Sequence, residues 1–359
     1  MRHKGYYLVY WKINEHEPDG IEKKILFQKR MFEEKGIQME FKILEKKNGT
    51  FWNYRDDLSD ADFIYFRKST ITDWRFVGFF KHLKIQGNPL IFMEIPTYPY
   101  EGEYGNSFKS KIRLWIDGFF RKRLSGVIDR IVVTGADVGD KLWNVPTISI
   151  VNGIDFSSVT PRRYKEHDGL ALGCIAKFSP WHGYERLIKG LATYYKEGGS
   201  QDVKLLMVGD GPERTAYQQL VEQLRLSSHV KFTGKLTGEA LDDVYNLIDV
   251  GICSLGRYKS GVDIIGDLKS REFMAKGIPM VCGCKIDVLQ DVNYEYVKYF
   301  PNDNSELNIP EIINFYRKLT NKNSVKEISA KIQRISKRII DYRVIYQKVI
   351  NELEMIWRR

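Results

Sequence analysis

The chain has 359 residues, 43% of them hydrophobic and 13% aromatic, which is too long for one ordinary core and too apolar for disorder. Its formal charge of +10 suits anionic partners, whether nucleic acid, an acidic membrane surface or a phosphorylated small molecule, and chooses none of them. The apolar run YYLVYW near the start is too short for a secretory signal, and no run approaches the ~20 apolar residues of a membrane span.

In chain order, residues 6–11 read as a first strand and 21–35 as a helix; 39–44 and 61–67 are two further strands. A helix over 74–83 leads to a fourth strand at 89–94. A basic amphipathic segment follows at 107–125, then short strands at 130–134 and 147–151. Asn152-Gly153-Ile154-Asp155 is a turn signal, and the polar stretch to His167, with Pro161, Arg162 and Arg163, reads as an interdomain linker. The rhythm then restarts. Strands are expected at 170–176, 203–208, 230–233, 250–254 and 278–283, with helices at 184–197, 213–226, 239–247 and 269–276, and mostly charged helix over 311–357. This alternation predicts an α/β chain of two Rossmann-like, doubly wound domains with parallel sheets. The expected divisions are 1–155, 156–335 and a C-terminal helix, 336–359, returning to the first domain. A ligand belongs in a cleft at the carboxyl ends of the strands.

The four cysteines are Cys174, Cys253, Cys282 and Cys284. Three lie in apolar strand-like runs, and the one-residue spacing of the last two is wrong for a zinc knuckle. They read as buried thiols of a reduced compartment.

Several residues have the chemistry of a phosphate-ligand site. Gly209 and Gly211, in Gly-Asp-Gly-Pro between a strand and a helix, let backbone approach a ligand at a helix N-terminus; a plain tight turn explains them equally well. Lys177 follows a strand and His182 precedes a helix, so both offer donors at the mouth of the second sheet. Lys269, Arg271 and Glu272 open a helix, where a carboxylate in the first turn is favoured by the helix dipole and can accept ribose hydroxyls; simple charge complementarity to the helix end is the competing reading. No Gly-x-Gly-x-x-Gly is present, which disfavours a nicotinamide oxidoreductase. In the first half, Glu94 ends a strand, where it would orient an acceptor hydroxyl or stabilise a developing positive charge, or else serve as a structural acceptor for the Pro-rich loop after it. Asp19-Gly20, after the first strand, would let the chain approach a donor phosphate. The basic segment 107–125 suits an anionic membrane interface, or else packs its apolar face on the sheet.

Four stretches together resemble the nucleotide-binding domain of the retaining GT-B glycosyltransferases of family 4: AKFSPWHGYERLIKGLA, LLMVGDGPERTAYQQL, VKFTGKLTGEALDDVYNLIDVGICSL and DLKSREFMAKGIPMV. They cover roughly residues 170–285 in the family's order, and VNGIDF resembles the Asn-Gly-Val-Asp that closes the family's acceptor domain. The resemblance implies a GT-B enzyme with two domains facing a central cleft. It would transfer a hexosyl unit from a nucleoside-diphosphate sugar to a glycan or polyprenyl-linked acceptor, with retention, without metal and with no cofactor beyond the donor. Surface polysaccharide synthesis is the implied setting, with a cytoplasmic location, at the inner face of the membrane if 107–125 docks there. Nucleic acid is not an expected partner. The resemblance assigns Glu272 to the donor ribose, and sets Lys177 and His182 where the family has an Arg and a Lys on the diphosphate. Where the family has a glutamate near the sugar, this sequence has Ile264. Either Asp263 serves with a one-residue shift, or the backbone of 261–266 holds the sugar, or activity is impaired. The last case describes a non-catalytic GT-B partner subunit.

Overall fold

The computed structural model describes residues 3–16, 18, 20–44, 58–101, 107–135 and 137–358, and its backbone divides into two units. The first comprises residues 1–151 and 342–359, the second residues 152–341.

The first unit begins with β1 (Lys4–Val9), α1 (Gly20–Glu33), β2 (Gln38–Ile43), β3 (Phe63–Arg67), α2 (Trp74–Gln86) and β4 (Leu90–Ile95). It continues with α3 (Phe108–Phe120), β5 (Arg130–Thr134), β6 (Lys141–Leu142) and β7 (Val145–Ile150). The strand order is β2-β1-β3-β4-β5-β7-β6, parallel except for the β6–β7 pair. The central strands are near-continuous apolar runs because both faces of the sheet are covered. On one face Phe76, Phe79, Phe80 and Leu83 of α2 pack; on the other, Ile25, Phe27, Met31 and Phe32 of α1. Asp73 starts α2 by accepting the backbone N–H of Phe76 at 2.9 Å.

In the second unit come β8 (Leu170–Ile175), α4 (Glu185–Lys196), β9 (Val203–Val208), α5 (Arg214–Gln223), β10 (Val230–Gly234), α6 (Gly238–Leu247) and β11 (Val250–Ile252). After them come β12 (Ile264–Ile265), α7 (Leu268–Lys276), β13 (Met280–Cys282), β14 (Lys285–Ile286), β15 (Val297–Tyr299), α8 (Ile309–Thr320) and α9 (Val325–Ile340). The main sheet runs β10-β9-β8-β11-β13-β15, all parallel, with β12 and β14 forming a separate parallel pair. Ser324 and Glu327 form a reciprocal capping box at the start of α9. The last helix, α10 (Tyr342–Trp357), belongs to the first unit, where Ile345, Tyr346, Val349, Ile350 and Leu353 join the core beside α1.

The divisions differ from the sequence expectation by a few residues. The helix that was to begin at 336 is still α9 there, and Ile340 is buried in the second unit's core. At the other boundary, Asn152 donates its side-chain amide to the Gly266 carbonyl at 2.8 Å, which ties 152–155 to the second unit. The expected linker is fastened to that unit as well. The Arg162 guanidinium donates to the Tyr245 carbonyl, the Arg163 N–H to the Asn246 side chain, and the Tyr164 hydroxyl to Asp249. The charged C-terminal stretch is three helices, and β12, β14 and β15 follow no periodic signal strong enough to read in short segments.

Candidate donor site at the strand ends of the second unit

The second sheet has its first strand, β8, in the middle. The chain adds β9 and β10 on one side, then crosses to add β11, β13 and β15 on the other. The reversal leaves a crevice outside the carboxyl ends of β8 and β11, where open α/β sheets bind ligands. The loops after these two strands meet there. The Leu255 N–H donates to the His182 carbonyl at 2.7 Å, and Lys259 reaches the Pro180 carbonyl at 3.2 Å and the Glu185 carboxylate at 2.5 Å.

His182 is 5% exposed, stacked on the buried Tyr184 ring at 5.4 Å. Burial, reinforced by the charge of Lys269, pushes its pKa down to about 3, so the ring is neutral at physiological pH. The Ser179 backbone N–H donates to Nδ1 at 3.0 Å, which assigns the ring proton to Nε2. That nitrogen lies 2.7 Å from Lys269 Nζ, in the first turn of α7. Two donors therefore converge on one spot beside a helix N-terminus, an arrangement that an anionic oxygen satisfies. Asp267 caps the helix by accepting the Ser270 N–H at 3.1 Å. Arg257, over Trp181 at 5.7 Å, adds a further cation to the same loops.

The other expected residues fall as follows. Lys177 is exposed just after β8; its side chain makes no hydrogen bond or ion pair among the described residues, and its backbone carbonyl accepts the Ser179 hydroxyl at 3.1 Å. Glu272 is not in the first turn of α7 as expected but in the second, so the helix-dipole argument does not apply to it. It shares a helix face with Lys269, three residues earlier. It is half-buried, and its Oε2 accepts the Tyr245 hydroxyl at 2.8 Å. Arg271 is structural: fully buried, it donates to the Asn152 carbonyl at 2.8 Å and pairs with Asp287. Asp263 is exposed and takes a 2.9 Å hydrogen bond from Asn302, while Ile264 beside it is 47% exposed on the short strand β12. No contact joins Asp263 to His182 or Lys269 among the described residues.

Gly209 and Gly211 have a structural explanation. Their φ angles are +129° and +149°, and a Cβ would lie 1.9 Å from the Ala176 carbonyl oxygen and 2.4 Å from that of Phe178. The loop clamps the segment bearing Lys177, because the Phe178 N–H donates to the Asp210 carbonyl at 2.7 Å. Gly209→Ala is expected to cost about 2–3 kcal/mol from backbone strain and overlap, read as a lower melting temperature by circular dichroism; an unchanged melt refutes the clamp.

In the first unit the sheet reverses between β1 and β3. Gly20 opens α1 there and is exposed; Asp19 lies outside the described residues. Glu94 does not sit at an open edge as expected. It is 0% exposed, paired with Lys24 at 2.8 Å and near Arg67 at 3.6 Å, and it accepts from Gln28, Tyr65 and Thr134. Burial pushes its pKa up, but Lys24 and Arg67 outweigh that and hold it at about 2. With both oxygens engaged and no solvent access, it is the hub of a buried network rather than a group that meets an acceptor. Missed by sequence reasoning was the opening at the ends of β3 and β4, a cavity of about 50 Å³ lined by Lys68, Ser69, Thr70, Ile95, Pro96, Thr97 and Tyr100. The available signal was a lysine and two hydroxyls directly after a strand.

Comparison with known proteins agrees with the second unit's geometry. Residues 169–296 match the family model of glycosyl transferases group 1. This part of the chain is similar to a group 1 glycosyltransferase domain. A curated relative, a GDP-mannose-dependent α-(1-6)-phosphatidylinositol monomannoside mannosyltransferase from Mycolicibacterium smegmatis, is 28% identical over 122 residues, 34% of this chain. The match spans 31% of that relative's length. Among solved structures, a glycosyltransferase from Rickettsia africae aligns at TM-score 0.67 and 12% identity, over 100% of this chain and 99% of its own. The Anabaena HepE protein in complex with UDP aligns at TM-score 0.64 and 16% identity, over 98% of this chain and 100% of its own. At such identities these likenesses carry the fold, which is GT-B in type, two Rossmann-like units.

Proposed function

We propose that the group 1 domain serves a glycosyltransferase that moves a hexosyl unit from a nucleoside-diphosphate sugar to a glycan or lipid-linked saccharide, with retention, in surface polysaccharide synthesis. The observation that carries this reading is the convergence of His182 Nε2 and Lys269 Nζ, 2.7 Å apart, in the crevice between the ends of β8 and β11. In this scheme the β-phosphate oxygens sit against that pair and the α7 N-terminus. Lys177 takes part of the charge that develops on the leaving diphosphate, so protein groups supply the neutralisation and the reaction is metal-independent. Glu272 would meet the donor ribose through the carboxylate that Tyr245 orients. The UDP complex of HepE and the GDP-mannose dependence of the mycobacterial relative make UDP- and GDP-sugars the first donors to test.

Two observations favour a second reading, a GT-B partner subunit that binds nucleotide without turnover: Ile264 is exposed, and Asp263 is held by Asn302. A thermal-shift screen against UDP-, GDP- and ADP-sugars, followed by a transfer and hydrolysis assay, separates the two. The matching donor, at roughly a hundredfold excess over its Kd, is expected to stabilise the protein by about 2.7 kcal/mol. Turnover supports the enzyme, stabilisation with no turnover supports the partner, and no stabilisation by any donor sinks both.

A further inference from the structure

The helix α3 is amphipathic in the sense opposite to that of a helix covering a sheet. Among its thirteen residues, Asp117 is the buried one. It accepts the Thr72 N–H at 2.6 Å and the Tyr100 hydroxyl at 2.5 Å, and it pairs with Lys68 at 3.3 Å. The helix is thus fastened to the unit by its polar side. Phe108, Ile112, Trp115 and Phe119 are 81%, 45%, 73% and 49% exposed. At ~100° per residue these four positions fall within a sector of about 60°, opposite Asp117. They form one outward apolar stripe in which the Trp115 and Phe119 rings stack at 6.3 Å. Lys109 and Lys111 flank the stripe, and exposed Lys122 and Arg123 stand at its C-terminal end, with the Arg123 guanidinium 4.3 Å from the Phe119 ring. Between Ser107 and Gly126 the sequence holds six basic residues and one acid, the buried Asp117.

We propose that α3 docks this unit onto an anionic phospholipid bilayer, lying flat with Phe108, Ile112, Trp115 and Phe119 in the interface and the lysines and arginines on the headgroups. Thirteen residues are too few to span a bilayer, which takes ~20, so the helix lies on the surface. No helix among the described residues is long and apolar enough to cross one. Charge decides between a membrane and a second copy of this chain. Two copies meeting stripe to stripe would bring two basic clusters together, whereas an anionic headgroup layer neutralises them and accepts the rings and aliphatic stems.

The test is sedimentation of the full chain with vesicles of phosphatidylglycerol and phosphatidylcholine, against vesicles of phosphatidylcholine alone. It needs no sugar nucleotide, so its failure leaves the donor reading untouched. The chain is expected to pellet with the anionic vesicles at low salt and to be released as ionic strength rises. Trp115→Ser with Phe119→Ser is expected to lower the vesicle partition coefficient about ten-fold or more, and Lys109→Glu with Lys111→Glu to do the same. Circular dichroism melting of both variants is expected to match the parent chain, because neither pair contributes to the core. The proposal is overturned by absence of pelleting, by equal pelleting with neutral vesicles, or by variants that pellet as the parent does. A concentration-dependent dimer in light scattering that Trp115→Ser with Phe119→Ser abolishes also overturns it and assigns the stripe to a second copy.

Discussion

Replacing Glu94 with alanine is expected to destabilise the first unit by about 3–5 kcal/mol, the cost of leaving a buried charge without its partner. Lys24, 5% exposed, and Arg67 are held against this carboxylate, and Lys24 has no route to solvent when it is removed. The network also reaches the C-terminal helix: Gln28 donates both to Glu94, at 2.6 Å, and to the Tyr346 hydroxyl on α10. Loss of Glu94 should therefore loosen α10 as well, visible as faster amide exchange around Tyr346. The pH dependence has a definite sign. The folded pKa of about 2 lies below the ordinary 4.5, so the stabilisation is complete above about pH 4.5 and is lost as pH falls toward 2. Urea melts of the parent and of Glu94→Ala at neutral pH and in acid check both points. The parent should lose more stability on acidification than the variant, and equal losses would sink the assignment. Equal stability at neutral pH would return Glu94 to the list of groups free to meet a substrate.

That residue shows where sequence reading stops. An acid directly after an apolar strand has the same local signature whether it faces a cleft or a buried lysine. Its partners Lys24, Gln28, Tyr65 and Thr134 lie on three other elements, and through Gln28 the network reaches Tyr346 on the C-terminal helix. The α/β alternation was legible because it is written locally, in apolar runs of strand length and in punctuating residues such as Pro212 and Gly277. The glycines at 209 and 211 were legible too, but not their cause, since the carbonyls they avoid belong to Ala176 and Phe178 on a different strand end. For α3 the periodicity was plain and the orientation was not. Helical spacing states that an apolar face exists; whether it turns inward depends on Asp117 finding Lys68, Thr72 and Tyr100.

At the donor site, Lys269→Ala is expected to weaken binding of the nucleoside diphosphate about 10–100-fold, the range for removing a charged donor from a phosphate. Lys269 Nζ is the cation closest to the His182 ring, and the ring cannot replace it: its pKa of about 3 leaves it neutral, and protonating Nδ1 would break the hydrogen bond from the Ser179 N–H. His182→Ala should accordingly cost less than Lys269→Ala, and Lys269→Arg should recover part of the affinity by restoring the charge. The same argument fixes the pH profile. With His182 neutral in both free and bound protein, UDP or GDP affinity should show no inflection from this ring near its ordinary pKa of 6.5. A histidine that charged on binding would instead make affinity rise as pH falls through that region. Isothermal titration of the parent and the three variants with the nucleotide selected in the donor screen, at pH values on both sides of that point, decides the matter. An unchanged Kd in Lys269→Ala would place the diphosphate elsewhere. An inflection abolished by His182→Ala would mean that the ligand recruits a second positive charge, and that the neutral ring describes only the empty site.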